Sequence, residues 1–195
     1  EPSRRQRQMC IRDSAAGTSG LTLVQPVPVS QLPHFHDGFV SVQDASAQLA
    51  GLLLSPEAGM TVLDACAAPG GKACHLAELG ATVTAADISE DRLVKVDENA
   101  NRLNLSITSV LSDGRSLHEV LAHASFDAIL LDVPCSATGV MRRNPDVKVI
   151  RRKSDIDQFA ALQSELLQSV WALLKPGGRL LYACLLYTSP SPRDL

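Results

Sequence analysis

Short apolar runs alternate along this chain with segments in which apolar residues recur every three or four positions. The runs are rich in β-branched and aliphatic residues and are bounded by glycine, proline or polar residues, a pattern typical of buried strands. Five runs fit this description: TVLDAC at 61–66, TVTAAD at 82–87, SITSVLSD at 106–113, FDAILLD at 126–132 and RLLYA at 179–183. The pattern therefore predicts five strands, with KPGG turning the chain before the last of them.

The segments between these runs predict helices. KACHLAELG at 72–80 ends at a glycine, and the segment 89–103 begins with a serine cap followed by acidic residues. The segment 155–174 predicts a long amphipathic helix. Its apolar side would be formed by Phe159, Leu162, Leu166, Val170 and Leu173.

One more helix is predicted ahead of the first strand, within GFVSVQDASAQLAGLLL. Asp44 or Ser46 can cap this helix, and Pro56 ends it. Its apolar side is expected to hold Leu49, Leu52 and Leu53.

Strands that alternate with helices predict an α/β fold with a parallel sheet and right-handed crossovers. Because the strands are apolar on both sides, helices should cover both faces of the sheet. We expect a Rossmann-like domain at 59–183, truncated after its fifth strand, with 15–58 as an N-terminal extension of that domain.

The composition of the chain excludes several classes of protein. The chain has 195 residues, 45% apolar and 20% charged, which suits one ordinary globular domain. No apolar run reaches the ~20 residues of a membrane helix, and the first residues lack the apolar stretch of a secretory signal. Five cysteines without a paired CxxC spacing argue against a disulfide framework or a zinc site. We expect a cytoplasmic monomer without metal or membrane partners.

The two ends of the chain look foreign to the domain. EPSRRQRQMCIRDS at 1–14 has neither a periodic pattern of apolar residues nor a recognisable turn signal, and CLLYTSPSPRDL at 184–195 interrupts a strand-like run with a tail of serine and proline. Back-translation of both ends matches the two adapters of a transposase-based sequencing library, as a pair. We therefore interpret 1–14 and 184–195 as adapter read-through, with natural disordered tails as the alternative, and exclude them from the fold.

The first motif with chemical content is LDACAAPGGK at 63–72, where the first strand gives way to a helix. Gly70 and Gly71 permit close backbone approach, and amides at a helix N-terminus can bind an anionic group. A glycine-rich turn alone is a weak signal, and the GxxxxGK[ST] spacing of a phosphate-binding loop is absent.

Acidic residues close three of the predicted strands. Asp87, Asp113 and Asp132 are the last residues of the second, third and fourth predicted strands. The carboxyl ends of parallel strands meet at one edge of a sheet. An acid after the second strand typically accepts hydrogen bonds from ribose hydroxyls, although Asp87 taken alone could equally cap the next helix. Three such acids at one edge indicate a ligand site.

A proline and a cysteine follow the last of these acids, in LLDVPCSATGVMRRNPDVK at 130–148. Catalytic groups accumulate in loops at strand ends, so Cys135 is a candidate reactive thiol. Cys66 and Cys74 are better interpreted as small apolar residues of the core.

CAAPGGK and DVPCSATGV, followed by RRNPDVK, resemble the 5-methylcytosine RNA methyltransferases of the Nop2/Sun group, and VQDASAQ at 42–48 points to its Fmu/Sun type. The resemblance covers about 20–183; the chain departs from it at Val149, where the family usually has tryptophan. It implies a partner RNA, bacterial 16S ribosomal RNA, and S-adenosylmethionine as cofactor. The positions that it places around the cofactor are Cys66, Ala67, Ala68, Pro69, Gly70, Gly71, Lys72, Asp87, Asp113 and Asp132.

Chemistry and the resemblance together suggest a mechanism. Carbon 5 of cytosine is a poor nucleophile, so a thiolate must first add at carbon 6, and the base must be unstacked to reach the pocket. In the family the nucleophile lies in a TCS motif after the fifth strand, and the cysteine of DxPC assists product release. Cys135 matches the assisting role. The TCS motif is absent from this sequence, so we expect weak cofactor binding and negligible methyl transfer by the chain as it stands.

Charge is unevenly distributed. The net charge is −3, yet six basic residues fall within twelve positions and could hold a phosphate backbone: Arg142, Arg143, Lys148, Arg151, Arg152 and Lys153. A solvated loop and helix start is the alternative interpretation.

Three other functions share parts of this pattern. A DNA cytosine or amino-group methyltransferase could use the same fold. Amino-group enzymes, however, favour a DPPY-like loop, and the Pro-Cys loop of DNA cytosine enzymes lacks the RRNPD continuation found here. A non-catalytic RNA-binding protein could retain the fold. A dinucleotide-binding oxidoreductase would need a GxGxxG turn, which this chain does not have.

Overall fold

The computed structural model describes residues 23, 25, 27–135 and 152–184 of the chain. Both suspected adapter segments therefore lie outside the described residues, apart from Cys184. A short 3₁₀ turn at Val29–Gln31 precedes α1 (Ala45–Leu54), and the alternating unit follows. Its elements are β1 (Thr61–Ala65), α2 (Gly71–Glu78), β2 (Thr82–Asp87), α3 (Glu90–Arg102), β3 (Ile107–Leu111), a 3₁₀ turn at Gly114–Ser116, α4 (Leu117–Val120), β4 (Phe126–Asp132), α5 (Lys153–Trp171) and β5 (Leu174–Ala183).

The five strands form one parallel sheet in the order β3-β2-β1-β4-β5. β1 is central: its Asp64 lies opposite Ala85 of β2 and Leu130 of β4. The chain runs outward from β1 to β3 and then crosses to β4, so the switch in strand order falls between β1 and β4. The predicted α/β fold with a parallel sheet is confirmed, and the switch point is where such sheets bind ligands.

Apolar packing covers both faces of the sheet. Val62, Val83 and Leu130 face α2 and α3, while Leu63 and Ile129 face α4 and α5. Successive side chains of a strand point to opposite faces, and here both sets are fully buried. This two-sided burial explains why the strands read as continuous apolar runs.

Strand boundaries differ from the predictions where the backbone turns. β1 ends at Ala65 because Cys66 takes a left-handed φ of 64°. β3 stops at Leu111 because Asp113 already caps the next 3₁₀ turn. KPGG was predicted to turn the chain before β5, but it lies within that strand. Pairing begins at Leu174, and the four residues form an irregularity opposite Asp127.

The apolar side predicted for α1 is wrong. Leu49, Leu52 and Leu53 are 46%, 39% and 69% exposed, and the helix buries Ala50 and Leu54 instead. The reason is the close approach of α2: a Cβ at position 51 would stand 2.8 Å from the His75 ring. Small residues therefore decide which side of α1 packs. Asp44 is the cap, as one alternative predicted, and the helix ends before Pro56.

The apolar side predicted for α5 is largely confirmed, since Leu166, Val170 and Leu173 are buried while Phe159 and Leu162 are half-buried. The helix begins two residues earlier than expected, at Lys153, and ends at Trp171. Among the described residues no helix combines the length and apolarity that crossing a membrane requires.

Candidate cofactor site at the carboxyl edge of the sheet

A cavity of 330 Å³ opens at the carboxyl edge of the sheet, beside the switch in strand order. Its wall includes six of the candidate site residues that the sequence singled out: Cys66, Ala68, Asp87, Asp113, Asp132 and Cys135. The strand ends thus bring the three acids and the DxPC cysteine together. Cavities of this size are typical of small-molecule sites.

The loop at 66–70 forms one side of this cavity. Its chain reverses through left-handed conformations at Cys66 and Gly70, with φ of 64° and 97°. The amide of Ala67 donates to the carbonyl of Ala86 at 2.9 Å, which ties the loop to the end of β2. Ala68 lines the cavity, whereas Ala67, Pro69, Gly70, Gly71 and Lys72 of the same predicted motif lie outside its wall.

Asp87 is held at the end of β2 and is only 3% exposed. Its Oδ2 accepts from the amide of Ala68 at 3.2 Å, and its Oδ1 accepts from the amide of Ser89 at 3.1 Å. Ser89 occupies the cap position of α3, but within the described chain its side chain makes no cap hydrogen bond. Asp87 thus receives an amide at the start of the helix and also lines the cavity, while its role toward a ribose stays a prediction.

Asp132 forms an ion pair with Lys72, whose Nζ donates to Oδ2 at 2.6 Å. Both side chains are partly exposed, at 33% and 25%. Lys72 therefore meets the site through the carboxylate at the end of β4. This pair joins the first turn of α2 to the strand that leads into the DxPC loop.

Asp113 caps the 3₁₀ turn after β3 through the amide of Arg115. The Arg115 side chain donates from Nε to Oδ1 at 3.1 Å and from Nη2 to Oδ2 at 2.6 Å, and these hydrogen bonds lower the pKa of Asp113. Arg115 also lies 3.6 Å from Glu165 of α5. The acid is thus held in its charged form at the far side of the cavity.

Asp64, in the central strand, does not line the cavity but interacts electrostatically with Asp132 and Asp87, which do; sequence reasoning missed it. It is 1% exposed, and neither oxygen has a hydrogen-bond partner among the described residues. Burial, followed by the charge of Asp132, raises its pKa to about 8; Lys72 opposes this, Asp87 adds to it, and the Ala73 amide lowers it least. The available signal was an acid inside a strand that is buried on both faces.

The three relevant thiols lie in different surroundings. Cys74 is in the core, as expected. Cys66 packs against the core and also lines the cavity; burial, together with Asp87 and Asp64, raises its pKa to about 12, which makes it unsuited to nucleophilic attack. Cys135 is half-buried in the cavity wall, directly after β4.

Residues 51–189 match the protein family described as 16S rRNA methyltransferase RsmB/F. The match covers more than half of the chain. This chain belongs to the RsmB/F family.

Curated relatives of this RsmB/F chain agree with the assignment. Ribosomal RNA small subunit methyltransferase B of Pasteurella multocida is 50% identical over 178 residues, which cover 88% of this chain and 40% of that protein. The protein of the same name from Cronobacter sakazakii is 52% identical over 160 residues, covering 81% and 37%. The chain thus spans about two fifths of the length of these relatives.

Solved structures with the same fold are also similar. NSun6 from Pyrococcus horikoshii with SFG, an S-adenosylmethionine analogue, is 30% identical, with a TM-score of 0.74 over 87% of this chain and 43% of that one. A methyltransferase homolog protein from Pyrococcus horikoshii is 33% identical, with a TM-score of 0.70 over 87% and 53%. The predictions of a Nop2/Sun-type methyltransferase fold and of S-adenosylmethionine as cofactor are confirmed.

The residues of the cavity fit this cofactor. Asp87 offers carboxylate oxygens beside the start of α3. Apolar side chains, among them Leu162 and Leu166, complete the wall. A site with a few placed polar groups in a mostly apolar wall suits a nucleoside with a charged tail.

Of the six basic residues predicted to bind RNA, Arg142, Arg143, Lys148 and Arg151 lie outside the described residues. Arg152 is exposed at the start of α5, where its amide donates to Asp155 at 3.0 Å. Lys153 is the first residue of that helix. Within the described ranges 27–135 and 152–184, no group of three or more potential ligands could hold a metal ion.

Proposed function

We propose that this chain is part of an enzyme that methylates carbon 5 of a cytosine in 16S ribosomal RNA. One observation carries the proposal: Cys66 and Ala68 of the loop at 66–70, three strand-end acids and Cys135 border a single cavity at the switch point of the sheet. Family membership supports methylation of 16S rRNA as the reaction class. The finer assignment, carbon 5 through a cysteine adduct, rests on the position of Cys135 and on the resemblance of its loop.

S-adenosylmethionine, when bound, supplies an electrophilic methyl group on a sulfonium. In this proposal Asp87 accepts hydrogen bonds from the ribose hydroxyls, because its carboxylate closes β2 and faces the cavity. The amides of the first turn of α2 receive the carboxylate of the amino-acid tail. The Lys72–Asp132 pair stands between that turn and the DxPC loop, where it can orient both.

Cys135 acts on the cytosine side of the site. A thiol at this position can assist release of the methylated base after another thiolate has added to carbon 6. Cys66 is the other thiol in the cavity wall, and its pKa of about 12 disfavours a nucleophilic role. The TCS motif that carries the nucleophile in the family is absent from this sequence, so we expect the 195-residue chain itself to transfer no methyl groups.

Calorimetric titration with S-adenosylmethionine tests the cofactor part of the proposal. We expect weak but saturable binding, and loss of binding in Asp87→Ala. Asp91→Ala, an exposed acid on the next helix, is the matched control and should bind as the parent does. A parent chain that binds RNA but not the cofactor would instead favour a non-catalytic RNA-binding protein.

The position of the methyl group and the role of the thiol need the protein from the intact source gene, incubated with 16S rRNA and labelled cofactor. Nucleoside analysis should show 5-methylcytosine, and Cys135→Ala should lower turnover and accumulate a covalent RNA–protein adduct. Cys74→Ala is the control, since that thiol lies in the core. A methyl group on another atom, or an unaffected Cys135→Ala, would contradict the proposal.

A further inference from the structure

One face of α3 contacts the loop at 67–70 along its length. Arg92 Nη2 donates to the carbonyl of Ala68 at 2.7 Å, and Asn99 Nδ2 donates to the carbonyl of Pro69 at 3.0 Å. Between them, Val96 packs so closely that a Cβ at position 70 would stand 2.9 Å from its Cα. Positions 92, 96 and 99 share one helix face because they are four and three residues apart. The loop therefore lies along α3, fixed at two carbonyl groups in succession.

Arg92 also closes a ring of contacts around a single peptide group. Its Nη1 lies 3.5 Å from Oδ1 of Asp87, while Oδ2 of the same carboxylate accepts from the amide of Ala68. The N–H and C=O of Ala68 are thus held by two side chains that form an ion pair with each other. Asp87 is buried and Arg92 half-exposed, so the carboxylate depends on this guanidinium more than a surface acid would.

The two donors lie on different sides of the loop. Arg92 lines the main cavity together with Ala68 and Asp87. Asn99 instead lines a separate cavity of 140 Å³ behind the loop, beside Pro69 and Gly71. A ligand in the main cavity could touch Arg92, but it can be influenced by Asn99 only through the backbone of the loop.

We propose that Arg92 and Asn99 are positioning residues, which hold the loop at 67–70 in the shape that receives the cofactor. This rests on the function proposed above, because it assumes that the main cavity is the cofactor site. The donors act on carbonyl groups, so the loop keeps its path whether or not the cavity is filled. The shape of the site then depends on α3 as much as on the loop's own sequence.

Hydrogen exchange of the free 195-residue chain tests the first half of this proposal without any ligand. The amides of Ala67, Ala68 and Gly70 are hydrogen-bonded, so a peptide spanning the loop should exchange slowly in the parent. Arg92→Gln removes a charged donor, and Asn99→Asp places an acceptor against a carbonyl. Each should speed exchange of this peptide by about tenfold, the factor that loss of one ordinary hydrogen bond implies.

Matched controls on the same helix separate this effect from a general change in charge. Lys95→Gln removes a positive charge and Asn101→Asp adds a negative one, both at exposed positions of α3. Neither control should change exchange of the loop. Arg92→Lys keeps the charge with a single donor group, and it should restore part of the protection.

Titration with S-adenosylmethionine tests the second half. Asn99→Asp should raise Kd by about tenfold although the residue is outside the main cavity, and Asn101→Asp should leave Kd unchanged. Unaltered loop exchange in Arg92→Gln and Asn99→Asp would overturn the inference, as would faster exchange throughout the chain, which would indicate lost stability only. A parent that binds no cofactor would count against the proposed function, while the exchange experiment would still decide whether α3 holds the loop.

Discussion

Replacing Asp64 should change how the stability of the protein depends on pH. The carboxyl lies in the central strand, 1% exposed, with Asp132 and Asp87 as neighbouring acids and Lys72 as the nearby cation. Burial and the two acids raise its pKa from 3.8 to about 8. Between these values the folded protein keeps a proton that the unfolded chain has released. Raising the pH therefore favours the unfolded state.

The size of the effect follows from the width of that window. Each pH unit inside it lowers the free energy of unfolding by about 1.4 kcal/mol. From about pH 5.5 to about pH 7.5, Asp64 alone should thus destabilise the fold by roughly 2.7 kcal/mol. Below about pH 4 both states hold the proton, and the contribution disappears.

Urea unfolding followed by circular dichroism measures this contribution. Asp64→Asn and Asp64→Leu cannot titrate, so the difference in unfolding free energy between either variant and the parent should grow with pH. The two variants differ in polarity, so their curves should be offset from each other but share one slope. A difference that stays constant between about pH 5.5 and about pH 7.5 would show that Asp64 is ionised in the folded protein, and would refute the reasoning.

Three further outcomes follow from described contacts. Gly70→Ala should destabilise the fold by about 1–3 kcal/mol in urea, since the position has φ of 97° and its Cβ would meet Val96; Gly59→Ala, with φ of 87° and open space, should cost less. Hydrogen bonds from Lys175 and Thr61 lower the pKa of Asp127 to about 2. Asp127→Asn should therefore lower the free energy of unfolding above about pH 4, and in an acid titration the difference from the parent should vanish as the pH falls toward 2. Cys66, with a pKa of about 12, should react with iodoacetamide at about pH 8 roughly a thousandfold more slowly in the folded chain than in urea, as mass spectrometry would show; equal rates would contradict its burial.

Much of the fold could be predicted because strands that are buried on both faces appear in the sequence as continuous apolar runs. The strand 126–132 is apolar at every position except Asp127 and Asp132, and Asp132, the acid at its carboxyl end, lies at the edge where the cavity forms. Parallel pairing then brings Asp87 and Asp132 to the same edge, whatever the details of the helices. The placement of the cavity follows from topology, which periodicity can reveal.

Features that depend on close approach between elements could not be predicted in this way. The prediction of which side of α1 packs was wrong because Gly51 lies against His75, and a glycine adds nothing to the apolar pattern from which the packed side was predicted. Arg92 and Asn99 looked like ordinary polar positions on a solvated helix, since their acceptors are backbone carbonyls some thirty residues or fewer away in sequence. Asp64 was missed although it stands as an acid inside an otherwise apolar strand, because attention went to the acids at the strand ends. The features of α1 and α3 depend on distances across elements, which spacing along the chain does not encode.

The loop after β1 consists mainly of small residues, and neighbouring side chains form hydrogen bonds with its peptide groups rather than with its side chains. Ala67 and Ala68 are 6% and 7% exposed, and Ala68 lines the main cavity, so a larger side chain would have to enter the packed loop or the cavity. Whether a substitution at these positions is tolerated should therefore depend on side-chain volume and hardly at all on polarity. We expect serine to be tolerated and valine to destabilise the loop. In this part of the protein, side-chain bulk sets the limits on sequence change.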